Sequence, residues 1–115
     1  MIEVNDYVRT KDGTIGKVIK VLSNRVFLNS LGYAVLIKDI VKHSKQLIDL
    51  IEVGDYVNGY KVISADYDVI DDKTECIELD LNNNYQYNFI SARQIKTILT
   101  KEQMASIEYK VEEDK

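Results

Sequence analysis

The chain has 115 residues, a formal net charge of −4, 45% hydrophobic and 30% charged residues, one cysteine and no proline. This composition is typical of a folded domain and excludes a disordered chain. One cysteine excludes an internal disulfide, no apolar run is long enough to span a bilayer, and the first residues do not resemble a secretory signal, so we expect a cytoplasmic protein. Residues 1–50 hold eight Lys or Arg and five Asp or Glu, whereas residues 51–115 hold seven and fourteen.

The first part of the chain predicts short β-strands joined by turns. A β-rich run over 4–10 leads through the turn signal at Gly13 into a strand over 15–22, which is rich in Val and Ile. Further strands are predicted over 26–28, 33–37 and 40–43, with a tight turn at 38–39. Short strands at this spacing are typical of a small, partly open barrel. We therefore assign residues 1–46 to a first module.

An apolar joint follows at residues 47–52. Leu47, Ile48, Leu50 and Ile51 have the spacing of one or two helical turns, with Ser44 as a possible N-cap. So apolar a segment is a poor flexible linker, and we expect it to pack between two modules.

The second module, residues 53–99, repeats the plan with a longer middle. Asn58-Gly59 is the strongest hairpin signal in the chain, and residues 66–73 read as a polar loop. Residues 75–81 alternate as a strand does, 82–84 form a turn, and further strands are expected over 85–90 and 95–99. Thr100 and Gln103 fit a capping box, which predicts a helix from Lys101 to about Ile107 within the final segment, 100–115.

The two modules begin with almost the same sequence. Val4-Asn5-Asp6-Tyr7-Val8 returns 49 residues later as Val53-Gly54-Asp55-Tyr56-Val57. These openings, the first followed by Asp12-Gly13 and Gly16-Lys17-Val18, resemble the first hairpin of SH3-like barrels, including the KOW type. The predicted fold class is therefore all-β: two tandem small SH3-like partly open barrels, packed together, with a short C-terminal helix.

The whole chain also resembles small proteins of phages and prophages of Gram-positive bacteria. The segments that carry this likeness are 44–62 and 100–111. The resemblance implies a mobile-element accessory protein acting in a bacterial host cell, and that group includes inhibitors of host defence such as anti-CRISPR proteins.

Catalysis is not expected. A nucleophile needs a base beside it, and the chain has one His43 and one Cys76, in different modules. The acids of the 66–73 loop lack the glycine and the alternate ligand positions of a calcium loop, since Ile70 occupies one such position. We expect no catalytic residue, no metal and no cofactor.

A negatively charged surface is the main candidate for binding. We call it the acidic face: Asp66, Asp68, Asp71, Asp72, Glu75, Glu78 and Asp80. Carboxylates spaced along a strand can imitate the charges of a nucleic-acid backbone, so the face could occupy the basic groove of a host nucleic-acid-processing complex. Tyr85 and Tyr87 would be its aromatic anchors if exposed and part of the core if buried. An ordinary charged strand face is the simpler interpretation.

Two other functions stay open. The first hairpin and its next turn carry a basic patch, defined as Arg9, Lys11, Lys17, Lys20 and Arg25. The KOW resemblance implies that such loops bind nucleic acid, although the acidic half of the chain would repel phosphate. The duplicated module could also serve dimerisation or virion assembly.

Overall fold

The structure, a computed structural model, describes residues 1–68, 75–81 and 89–107, with the backbone alone for 66–68 and 75. The described part of the chain is mostly β and ends in one short α-helix. The strands are β1 (Tyr7–Thr10), β2 (Ile15–Val21), β3 (Arg25–Leu28), β4 (Ala34–Leu36), β5 (Ile40–Ser44), β6 (Tyr56–Val57), β7 (Tyr60–Asp68), β8 (Glu75–Leu79), β9 (Phe89–Ser91) and β10 (Ile98–Leu99), and the helix is α1 (Lys101–Ile107).

The first sheet is antiparallel, with the strand order β4-β3-β2-β1-β5. Strand β2 is long enough to pair with β1 along its first half and with β3 along its second half. A register shift between Val18 and Lys20 separates the two halves, and such shifts bend a strand. A 3₁₀ helix, Ile37–Asp39, returns the chain from β4 to the opposite edge strand, β5. The core of this sheet consists of Val8, Val18, Val26 and Leu28.

The second sheet has the same plan. Its order is β10-β6-β7-β8-β9, so the last strand again pairs with the first strand of its half. A 3₁₀ helix, Ala92–Gln94, precedes that last strand, as Ile37–Asp39 precedes β5. The core of the second sheet consists of Val57, Val62, Ile77 and Leu79, joined by Ile48 and Ile51. Within the described pairings, neither sheet closes into a barrel.

The hairpin predicted at Asn58-Gly59 is confirmed. The two residues have φ values of 54° and 87°, as a type I′ turn requires, and they join β6 to β7. Strand β7 extends to Asp68, so the predicted polar loop begins three residues too early.

The apolar joint folds as a 3₁₀ helix, Leu47–Leu50. Ile48, Leu50 and Ile51 are buried, and this turn packs against β1 and β5 of the first sheet and β8 of the second. The predicted N-cap is wrong: Gln46 occupies that position, and the Ser44 hydroxyl donates to Asp49 Oδ2 instead.

The helix predicted at 101–107 is confirmed together with its capping box. Gln103 Oε1 accepts the Thr100 N–H at 3.1 Å, and Thr100 Oγ1 accepts the Gln103 N–H at 3.3 Å. Met104 is half-buried, whereas Ile107 is 70% exposed and lies outside the core. No helix within the described ranges is both long and apolar enough to cross a membrane.

Candidate functional site

The acidic face lies on two paired strands as far as the structure describes it. Asp66 and Asp68 belong to β7, Glu75 and Glu78 to β8, and Asp80 follows β8 directly. The register of β7 and β8 places Asp68 opposite Glu75 and Ser64 opposite Glu78. Glu78 is half-buried and Asp80 is exposed.

Four members of the predicted site lie outside the described residues. These are Asp71, Asp72, Tyr85 and Tyr87. Their assignment to the acidic face and to its aromatic anchors therefore stays a prediction.

Arg9, the first residue of the predicted basic patch, does not lie at the surface. Arg9 is 1% exposed, and its guanidinium is surrounded by protein acceptors, so it cannot meet a ligand at the surface. Lys11 is exposed and pairs with Asp39 at 3.1 Å. Lys17 Nζ lies 5.8 Å from the centre of the Tyr7 ring, while Lys20 and Arg25 are exposed.

Arg9 instead connects the first sheet to the second. Its two terminal nitrogens donate to both carboxylate oxygens of Asp55, at 2.5 and 2.9 Å, which is the bidentate geometry of a strong ion pair. The same guanidinium donates to the Leu50 carbonyl at 3.0 Å and to Glu102 Oε1 at 2.5 Å. Asp55 is 0% exposed, so this pair is buried on both sides.

Further charges surround this pair, and we call the set the Arg9 network: Arg9, Lys42, Glu52, Asp55, Lys101 and Glu102. Glu52 lies 3.4 Å from Lys42 Nζ and 2.8 Å from Lys101 Nζ. Three cations therefore face three carboxylates. Arg9 and Glu52 are central to this set: among the described residues, removing Arg9 leaves Asp55 and Glu102 without an ion-pair partner, and removing Glu52 leaves Lys42 and Lys101 without one.

The duplicated opening sequence explains why Asp55 stands where it does. Asp55 Oδ2 accepts the Glu52 N–H at 2.8 Å, and Asp6 Oδ2 accepts the Glu3 N–H at 2.9 Å, in two turns 49 residues apart. Asp6 pairs with Lys45 of its own half at 2.6 Å, whereas Asp55 pairs with Arg9 of the other half. The first turn is therefore bound to its own half through Lys45, whereas the second turn is bound to the other half through Arg9.

Both turn aspartates titrate below their ordinary range. Burial alone raises the pKa of Asp55, but hydrogen bonds from the Arg9 guanidinium and from the N–H groups of Glu52 and Lys101 outweigh it and lower the pKa. The pKa of Asp6 is lowered chiefly by the hydrogen bond from Lys45, then by the one from the Glu3 N–H. The Arg9 pKa is raised, because its carboxylate partners outweigh the effect of burial.

We predict that the protein loses stability in acid. A carboxyl whose pKa is lower in the folded protein stabilises it above the unfolded pKa, near 3.8 for Asp, and this contribution is lost as the pH falls through the folded value. The free energy of unfolding, measured in urea, should therefore be flat near neutral pH and fall below about pH 4.

Asp6→Asn provides the control for the acid prediction. This variant should be less stable than the parent protein at neutral pH. The difference should shrink as the pH falls from about 3.8 through the lowered pKa of Asp6 in the folded protein, below which Asp6 is protonated in the folded parent as well. A stability difference between the two proteins that stays constant down to low pH would contradict a lowered pKa for Asp6 in the folded protein.

The residues considered for chemistry do not converge. His43 lies on β5 of the first sheet, with Nδ1 3.9 Å from Asp6 Oδ2, and Cys76 is buried on β8 of the second sheet. Among the described residues, no group of three or more His, Cys, Asp or Glu is placed to hold a metal ion. The side chains that do converge are those of the Arg9 network.

Comparison with known proteins adds no relative. No protein-family model, curated protein sequence or solved structure matches the chain.

The sequence pattern did not indicate that Arg9 and Asp55 meet. Strand alternation points Val8 inward and would leave Arg9 outside, yet Val8, Arg9 and Thr10 are all buried. One signal was present: six of seven residues in 2–8 return in 51–57, including both Glu and Asp of the turn. A repeated Asp at a buried turn indicates a cationic partner in each copy, but proximity in sequence would have paired Arg9 with Asp6, whereas Asp6 pairs with Lys45 and Asp55 with Arg9.

Proposed function

We propose that the chain is a non-enzymatic protein-binding module built from two SH3-like units in tandem. The shared strand order of the two sheets supports this, as does the 3₁₀ helix before the last strand of each. In this proposal residues 1–46 and 53–99 are the units, 47–52 joins them, and 100–115 forms the closing helix and tail.

The acidic face is the proposed binding surface. The observation that carries this is the pairing of β7 with β8, which brings five of its seven acids onto two adjacent strands and the residue that follows them. Residues two apart on a strand are separated by about 6.8 Å, close to two phosphate steps of a nucleic-acid strand at about 3.4 Å each. Such a surface suits a partner whose own binding groove is basic.

We propose a host nucleic-acid-processing complex, such as a defence nuclease, as the class of partner. The likeness to mobile-element proteins favours this class, and the setting would be the bacterial cytoplasm. Bound there, the acidic face would hold the enzyme off its nucleic-acid substrate. The basic patch favours nucleic-acid binding less, because Arg9 is buried and Lys11 is already paired with Asp39.

The test is affinity capture from a host lysate with the full chain as bait. We expect captured proteins with basic nucleic-acid-binding grooves, and we expect duplex DNA added in increasing amounts to displace them. Neutralising the seven acids to Asn or Gln should weaken the capture by roughly tenfold or more, since each lost 1.4 kcal/mol is a factor of ten.

A matched variant neutralises Glu112, Glu113 and Asp114 in the tail, which changes net charge without touching the acidic face. It should capture the same proteins as the parent chain. Partners that survive neutralisation of the acidic face, or that DNA does not displace, would contradict the proposal.

A further inference from the structure

A groove of about 310 Å³ lies where the two sheets meet. From the first sheet it is lined by Tyr7 and Lys17, with Asn29 beside them, and from the second half by Lys96 and Gln103. Leu47 of the apolar joint lies between these groups. Because both halves contribute, the shape of the groove depends on how the two sheets are held together.

Four uncharged polar residues line this groove: Asn29, Ser30, Thr100 and Gln103. The Ser30 and Thr100 hydroxyls donate to the backbone carbonyls of Ile15 and Gly13. Asn29 Oδ1 accepts the Lys17 N–H at 2.9 Å, and Gln103 Oε1 accepts the Thr100 N–H at 3.1 Å. Each side-chain amide thus uses its oxygen to accept from the backbone, and its NH₂ group donates to no other residue within the described ranges.

The charge of the groove has one sign. Lys17 and Lys96 line it, no carboxylate does, and neither ammonium forms an ion pair within the described part of the chain. A cation without a carboxylate partner, beside two free amide donors, is complementary to an anionic acceptor such as a carboxylate or a phosphate.

Apolar side chains form a further part of the lining. Ile15, Leu47, Ile95 and Ile98 are half-buried in the groove, and the Tyr7 ring lies beneath Lys17. A ligand that fills it must therefore bring apolar atoms as well as negative charge.

We propose that this groove binds a short segment of another protein in which Asp or Glu stands beside aliphatic or aromatic residues. The carboxylates meet Lys17 and Lys96, the amides of Asn29 and Gln103 donate to the same segment, and its apolar side chains cover the isoleucines. A nucleic-acid strand fits less well, because its affinity comes from many phosphate contacts and the groove offers two cations. This site is separate from the acidic face and has the opposite charge.

Selection of displayed random peptides on the full chain tests this directly. Selection is for binding to the parent protein, with removal of peptides that also bind the Lys17→Glu/Lys96→Glu variant. We expect enriched peptides that combine Asp or Glu with Ile, Leu or Phe. Synthetic copies should bind about tenfold or more weakly to Lys17→Met and to Lys96→Met, because a charge-assisted hydrogen bond is lost in each.

Two controls separate the groove from the rest of the surface. Lys20→Met removes an exposed lysine of the first sheet outside the groove, and the variant with a neutralised acidic face removes the other proposed site. Both should bind the peptides as the parent does, so failure of one proposal is distinguishable from failure of the other. No enrichment, enrichment of basic peptides, or binding unaffected by Lys17→Met and Lys96→Met would overturn the proposal. It would also be overturned if a single-stranded oligonucleotide bound the groove more tightly than every selected peptide.

Discussion

Replacing Arg9 with Ala should cost about 3–5 kcal/mol of unfolding free energy, the range found when one partner of a buried ion pair is removed. The loss comes less from Arg9 itself than from what remains. Asp55 is 0% exposed, and without the guanidinium its donors among the described residues are the N–H groups of Glu52 and Lys101. A carboxylate in that position is desolvated without a counter-charge, which is costly.

Urea denaturation followed by tyrosine fluorescence and by far-ultraviolet circular dichroism measures this loss. Arg25→Ala is the matched control, since Arg25 is exposed and its removal should change stability by no more than about 0.5 kcal/mol. Arg9→Lys should fall between the two, because an ammonium keeps the charge but cannot form the bidentate pair with Asp55. An Arg9→Ala loss below about 1 kcal/mol, the value of an exposed pair, would contradict the buried network.

The sequence predicted most of the local structure because each element carries its own signal. The Asn58-Gly59 turn needs φ > 0 at both positions, and the Thr100–Gln103 box satisfies its own helix end, so neither depends on distant residues. The repeated opening likewise indicated two similar units, and the two sheets share one strand order.

The junction between the sheets could not be predicted in this way. Arg9 and Asp55 are 46 residues apart, and neither has a local pattern that distinguishes a buried ion pair from two exposed charges. The groove at the junction depends in turn on how the sheets are placed. Strand periodicity predicts which side of one strand is buried, but it does not predict which charged residue of the other sheet contacts that side.

Replacing Gly13 with Ala should lower the free energy of unfolding by about 2–4 kcal/mol, for two separate reasons. Gly13 has φ +89°, where an L-residue is strained. An added Cβ would also overlap Thr100 Oγ1 and lie 2.8 Å from Glu102 Cβ. The turn after β1 would then have to move away from the start of α1, breaking the buried hydrogen bond from Thr100 Oγ1 to the Gly13 carbonyl.

Two other glycines separate these causes. Gly59 has φ +87° with nothing within 4 Å of an added Cβ, so Gly59→Ala measures the backbone strain alone. Gly32 has neither a positive φ nor a neighbour within 4 Å, so Gly32→Ala should leave stability nearly unchanged. Gly13→Ala must cost more than Gly59→Ala if the contact between the β1–β2 turn and α1 helps to hold the two sheets together. Equal losses for the two variants would mean that backbone strain explains the whole effect and that the contact contributes nothing measurable.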